Sequence, residues 1–302
     1  MREAIRLLKQ TFRDFGEDHG TRLAAALSYY TVFSLPPLLV LLLALLGALL
    51  DPSDVEAFLA GQFGSLLGPS GAGEIRNIIA HAERPDLSRG FAAVLGIGGL
   101  LFGAVGAFVE LQNALNRIWE VEPDPRQGGV RRFIVQRLVS FGMLLTIAFL
   151  LLVALVISAA LAAFGDALER MLPDGLSDVV LHIINLAIAL TVISFLFALL
   201  FRHVPDARIE WRDVRVGAVV TGILFIAGKF ALGLWLGRSD PGSAFGAAGS
   251  LALLLVWIYY SAIILFLGAE FTQAWTTRKG REITPAPGAV RMIERKEAIG
   301  GT

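Results

Sequence analysis

The stretch from Ala247 to Trp275, AAGSLALLLVWIYYSAIILFLGAEFTQAW, decides the fold, because no charged side chain occurs in it before Glu270. Roughly 20 apolar residues wound as a helix cross a hydrocarbon core of ~30 Å. Lipid offers the backbone no hydrogen-bond partners, so a spanning segment is a helix or part of a closed barrel. An unbroken apolar run lacks the alternation that a barrel strand needs. Five more segments share this character, running approximately from Leu23 to Leu50, Gly90 to Asn113, Leu138 to Phe164, Val179 to Phe201 and Val214 to Leu236. The expected fold class is therefore all-α, a polytopic membrane protein with a six-helix transmembrane bundle. Composition agrees: 55% hydrophobic against 17% charged residues, with a mean hydropathy of +0.67, is too apolar for a soluble domain of 302 residues.

Charge placement orients the bundle. Lys plus Arg and Asp plus Glu cancel at 26 each, but 20 of the 26 basic residues fall in the first 22 residues, the second-to-third and fourth-to-fifth connections, and the segment after the sixth span. Basic connections stay in the cytoplasm, so both termini are expected there, in a bacterial inner (plasma) membrane. The first apolar run is too long for a signal-peptide core and is read as a retained span. This divides the chain into a cytoplasmic amphipathic segment (1–22), a membrane domain (23–275) with a periplasmic insertion at about 51–89, and a basic flexible cytoplasmic tail (276–302). Ile5, Leu8, Phe12 and Phe15 stand at helical spacing among basic residues, which fits a helix on the inner leaflet or one capping the bundle. The insertion reads as two short amphipathic helices interrupted by Gly-Pro-Ser-Gly-Ala-Gly.

Ionisable residues inside spans are costly and mark candidate function. Gly96, Gly99, Gly103 and Gly106 form a small-residue stripe that continues into Glu110, Asn113 and Arg117, which should then face inward. Glu270, Gln273 and Arg202 reach a similar depth, giving a candidate inner polar cluster. A second layer centres on Lys229, on a face with Ala218, Gly222, Gly233 and Gly237, with His182, Asn185 and Ser158 at comparable depth. A buried cation among neutral hydrogen-bonding groups suits an anionic substrate. Pro36 and Pro37, after Ser34-Leu35, remove two backbone donors in mid-span and predict a proline-broken first helix. Against these readings stand plain ones: headgroup anchoring for Arg117 and Arg202, snorkelling for Lys229, packing pairs for the glutamates, and a kink without a site for the prolines.

Four ordered blocks, AALSYYTVFSLPPLL (25–39), GAFVELQNALNRIWEV (106–121), VPDARIEWRDVRVGA (204–218) and SAFGAAGSLALLLVWIYYSAIILFLGAEFT (243–272), resemble the hallmark segments of the YihY/BrkB family of bacterial inner-membrane proteins. The resemblance implies a six-span membrane protein, with transport or envelope roles proposed for members often labelled ribonuclease BN or virulence factor BrkB.

The residues themselves argue against nuclease chemistry. The four histidines, His19, His81, His182 and His203, are scattered, and no metal-ligating or phosphate-cradling motif occurs. The chain has no cysteine, which removes thiolate metal sites and disulfides. The expectation is a protein that is not an enzyme, with no cofactor or metal and no nucleic-acid partner. Its partners would be the lipid bilayer and a small solute, ion or lipid substrate, with homo-oligomerisation left open. A transporter or permeation protein leads, a non-transporting envelope scaffold follows, and a membrane-associated ribonuclease comes last.

Overall fold

The computed structural model describes residues 2–46, 53, 57, 61, 106–127, 176–238 and 249–293. Within them, α1 is Arg2–Glu17, α2 is Gly20–Leu46 and α3 is described over 106–118. Then follow β1 (Val121–Pro123), α4 (Leu176–His203), β2 (Ala207–Arg208), α5 (Trp211–Arg238), α6 (Gly249–Arg278), β3 (Thr284–Pro285) and β4 (Ala289–Arg291). Three of these helices are long and apolar enough to cross a membrane, through Leu186–His203, Trp211–Leu234 and Leu251–Arg278. The expected third span and most of the insertion at 51–89 lie outside the described residues.

α2 is one continuous helix through Pro36 and Pro37, so the expected break is absent. The two prolines forgo bonds to the carbonyls of Val32 and Phe33, yet every other arrangement in lipid would forgo more. Just before them, the buried Ser34 hydroxyl donates to the Thr31 carbonyl at 2.9 Å.

Without water to drive helices together, packing at close range does the work. α5 packs on α4 and α6, and α6 also on α1 and α2. The α5–α6 seam is reciprocal. A Cβ on Gly217 would overlap the Thr272 side chain, and one on Gly268 would overlap that of Thr221. Each threonine bonds the glycine carbonyl of its own helix, Thr221 to Gly217 and Thr272 to Gly268, both at 2.7 Å. Both threonine hydroxyls are thus satisfied, and the two backbones meet.

An aromatic chain fills the core beside this seam. Trp119, Phe201, Phe197, Phe225 and Trp257 follow one another with centroids 5.9, 6.1, 5.8 and 6.1 Å apart. Such pairs add about 0.5–1.5 kcal/mol each beyond their area.

The segment after α6 departs from expectation. Of the expected tail, residues 279–293 fold back over the helix ends, and 294–302 lie outside the described residues. β4 pairs antiparallel with β1, matching Val121 with Arg291 and Pro123 with Ala289, and β3 pairs with β2, matching Ala207 with Pro285. Met292 N–H donates to the Glu120 carbonyl at 2.7 Å, and Ala286 N–H to that of Asp206 at 2.8 Å. Short loops leave backbone groups unpaired at the helix ends, and a returning strand satisfies them. A buried ion pair pins the join, since Arg281 grips both oxygens of the wholly buried Asp213, with Nε at 2.8 Å from Oδ2.

α1 presents two faces. Leu7, Thr11 and Phe15 are buried against the bundle, while Ile5, Leu8 and Phe12 stay exposed beside Arg6, Lys9 and Arg13. Phe15 is held by Gly20, where any side chain would strike its ring. The corner between α1 and α2 turns on His19, at φ 57°.

Candidate functional site

The α1 corner, the end of α3 and the last turns of α6 enclose a cavity of about 750 Å³. Its charged walls are Arg13, Asp14, Glu17 and Asp18 from α1 and its corner, Arg117 and Glu120 from the end of α3, and Arg291 from β4. α6 contributes Gln273, Ala274 and Thr277. Glu120 caps α3 at φ 53°, a left-handed conformation uncommon for a residue with a side chain. Among the described residues, the non-glycine residues with positive φ are His19 and Glu120; Glu120 lines the cavity, and His19 follows Asp18, which also lines it.

Glu270 lies one turn deeper in α6 than Gln273. It is wholly buried, and among the described residues neither carboxylate oxygen accepts a hydrogen bond. The carboxyls whose charge reaches it are Asp18, Asp14 and Glu120. Arg117 approaches Asp18 rather than Glu270, with Nε 3.8 Å from Oδ1. A polar side chain withdrawn from water without a partner costs several kcal/mol, more if charged. Few packing roles would tolerate that.

The structure divides the expected inner cluster. Glu270 and Arg117 belong to the cavity region, and Gln273 lines it. Arg202 does not; its guanidinium donates to the Ile209 carbonyl and stacks 5.0 Å from the Trp211 ring centroid, bracing the loop between α4 and α5. On α3, Glu110 is half-buried and Asn113 exposed. The inward polar residues are Gln112 and Asn116, each one step away on the helical wheel from an expected neighbour. Both donate to Asp206, at 3.4 and 2.9 Å, and Asp206 N–H returns a bond to Asn116 Oδ1 at 2.8 Å. Gly96, Gly99 and Gly103 lie outside the described residues, and within 106–118 the buried polar phase runs through Gln112 and Asn116 rather than Asn113.

The outer layer changes as well. Lys229 is exposed, and so is Gly233, whereas Gly217, Ala218, Thr221, Gly222 and Gly228 form the buried face of α5. α4 and α6 pack on α5 as far as Gly228, which meets Tyr260, and the stripe does not carry Lys229 inward. The side chains of His182, Asn185, Pro36 and Pro37 lie outside the described residues, as does Ser158.

Asp18 was missed because nothing in a charged amphipathic segment marks one carboxylate as the neighbour of a residue some 250 positions away.

A bundle of apolar helices with a charged cavity at one end and a buried carboxyl behind it defines an integral α-helical membrane protein. The chain belongs to the virulence factor BrkB family, whose model matches residues 11–293. It is 29% identical to the UPF0761 membrane protein RSc1559 of Ralstonia nicotianae over 96% of this chain and 65% of that protein. It is 27% identical to the UPF0761 membrane protein PA0951 of Pseudomonas aeruginosa over 95% of this chain and 68% of the relative. With the ribonuclease-like protein YfkH of Bacillus subtilis it shares 26% identity over 90% of this chain and 96% of that one. The chain therefore spans about two thirds of the length of the first two and nearly all of the third. No solved structure matches.

Proposed function

We propose that this chain is a transporter or permeation protein for a small solute, ion or lipid, set in the inner membrane with both termini in the cytoplasm. One observation carries the reading: Glu270 is buried within an apolar span, unpaired, and adjacent to a charged cavity. Intramembrane carboxyls kept without a partner serve pathways and relays far more readily than packing. The cavity would then be the cytoplasmic vestibule, with Glu270 its innermost contact and Asp18 and Arg117 at its wall. The basic flank of α1, with Ile5, Leu8 and Phe12 outward, would rest on the anionic inner leaflet. Glu110 remains a secondary gating candidate, and Lys229 falls outside the vestibule. No enzyme activity, cofactor or nucleic-acid partner forms part of this reading, and the ribonuclease-like name belongs to YfkH.

Reconstitution into proteoliposomes tests it. Against a broad panel of solutes, Glu270→Gln should lower the initial flux of any transported solute by roughly tenfold or more, a barrier change of ~1.4 kcal/mol. Equal fluxes in wild type and variant would sink the assignment.

A non-transporting envelope scaffold is the second reading, favoured by the platform that β1 to β4 build over the helix ends. On that reading Glu270→Gln keeps full function in cells, whereas variants that release the platform lose it.

A further inference from the structure

A hollow of about 820 Å³ opens where α4 ends and α5 begins. Arg202 and His203 reach it from the first helix, Trp211 and Arg212 from the second, and Arg208 from β2 between them. The returning segment closes one side, with Thr284 of β3 in register with Arg208. The carboxylates on this wall are already matched: Glu210 pairs with Arg212, and Glu282 with Arg291 at 3.8 Å. Those to either side, Asp206 and Asp213, are held by Gln112 and Asn116 and by Arg281. Arg202 and Arg208 remain, and among the described residues neither has a carboxylate partner. Arg202 commits one N–H to the Ile209 carbonyl and stacks 5.0 Å from the Trp211 ring centroid, while a guanidinium carries five such donors. One turn along α5, Arg215 adds a further cation, its Nε 3.3 Å from the Trp211 carbonyl. The apolar stretch of α4 ends at His203 and that of α5 starts at Trp211, so the hollow stands at headgroup level. Trp211 is 41% exposed there, as aromatic residues at a membrane boundary are.

We propose that Arg202 and Arg208, beside Trp211, bind a phosphate group that the headgroup of an anionic phospholipid supplies. Guanidinium forks match phosphate oxygens, and Arg202 is held in place by the Ile209 carbonyl and the indole face, so it loses little freedom on binding. Arg208 supplies the second fork from the exposed side of β2. A zwitterionic lipid brings an ammonium beside its phosphate, which the same arginines repel, so the site selects headgroups of net negative charge. Basic pockets at the ends of membrane helices hold anionic headgroups in this way. A free phosphate offers the same oxygens, and the position of the hollow at the ends of two spans favours the lipid. The site stands apart from the transport reading, because no residue lines both this hollow and the α1 cavity.

Native mass spectrometry of the full chain in dodecyl maltoside, titrated with dioleoylphosphatidylglycerol or dioleoylphosphatidylcholine, tests the site. Wild type should retain phosphatidylglycerol in preference to phosphatidylcholine. Arg208→Gln should weaken that retention about fivefold, the effect of removing one cation from a membrane surface. Arg6→Gln, at a likewise exposed arginine outside the hollow, should leave it unchanged. Each variant is first shown to be monodisperse with a wild-type melting curve, which the exposed Arg208 side chain should permit. Glu210→Gln releases Arg212 from its pair and should tighten retention, a gain that a misfolded protein would not give. Equal retention by wild type and Arg208→Gln overturns the proposal. So does an equal loss in Arg6→Gln, which makes the binding a property of surface charge at large, and so does equal retention of the two lipids. Inorganic phosphate added to the preformed complex separates the carriers. Displacement of the lipid supports the phosphate site and assigns it to a free phosphate, whereas a complex that persists supports the headgroup.

Discussion

Asp213 and Glu270 are both wholly buried near the same end of the molecule, one at the start of α5 and the other towards the end of α6, yet their surroundings are opposite. Asp213 sits in the first turn of its helix, where the macrodipole favours an anion, and Arg281 grips both its oxygens. Among the described residues Glu270 has no hydrogen-bond donor, and the charges that reach it are those of further carboxyls. A buried charge that is fully matched makes a joint, whereas one left unmatched in the same protein costs stability that only a function would retain. The first fastens the returning segment to the bundle, and the second stands at the back of a cavity.

Breaking the matched pair should cause the largest loss of stability. Arg281→Met leaves the Asp213 charge buried and alone, a change that typically costs about 3–5 kcal/mol. Thermal unfolding of the detergent-solubilised protein reads the loss. Limited proteolysis should in addition cut the 279–293 segment, because its strands lose their anchor. Stability within ~1 kcal/mol of wild type would show that the β pairs hold the segment without the ion pair.

The contact between Gly268 and Thr221 comes next, two residues from Glu270 along α6. Gly268→Val forces the two helices apart, and overpacking of this kind costs about 1–3 kcal/mol. Comparing it with Gly233→Val, at a position with nothing nearby, sharpens the point. Only the first should lower the melting temperature, as both substitute the same side chain into the middle of a helix.

The Asp206 hub ranks below these. Asn116→Ala removes a donor and an acceptor from the loop between α4 and α5 and should cost about 1–2 kcal/mol. Hydrogen exchange at the Asp206 and Ala286 amides should rise together, since Ala286 N–H is bonded to the Asp206 carbonyl. Independent exchange at the two sites would disprove that the hub ties loop to tail.

How far the sequence disclosed all this depends on the range of the forces involved. Apolar length is a local property, so the spans through Leu186–His203, Trp211–Leu234 and Leu251–Arg278 were legible at once, and Glu270 stood out as the charge that interrupts the last of them. Facing is less local. Gly106, Glu110 and Asn113 suggested one helical phase, while the packing of Phe108, Leu115 and Trp119 imposed its neighbour. Pairing across the chain is not local at all. Nothing near Arg281 announces Asp213, and nothing near Asp18 announces Glu270. The charged composition after residue 278 even suggested mobility, because the partners that order it lie in loops far earlier in the chain. Pro36 and Pro37 misled for the opposite reason: their local effect was clear, and the lipid's demand for helix outweighed it.

The smallest expected change in stability belongs to the unmatched carboxyl, and it completes the contrast. Glu270→Gln keeps the volume and replaces a carboxyl that has no hydrogen-bond partner among the described residues by an uncharged amide. Its stability should stay within ~1 kcal/mol of wild type or rise slightly, as replacing an unsatisfied buried polar group commonly does. Asp213→Asn, the same chemical change at the matched site, should instead weaken the protein severely by leaving Arg281 without its partner. Melting curves of the two variants, measured side by side, therefore test whether the difference between the carboxyls is real. If both substitutions destabilise equally, Glu270 has a structural partner and its burial no longer argues for a role in transport. If only Asp213→Asn does, then holding an unpaired carboxyl at Glu270 contributes nothing to the fold, and flux is where its loss must show.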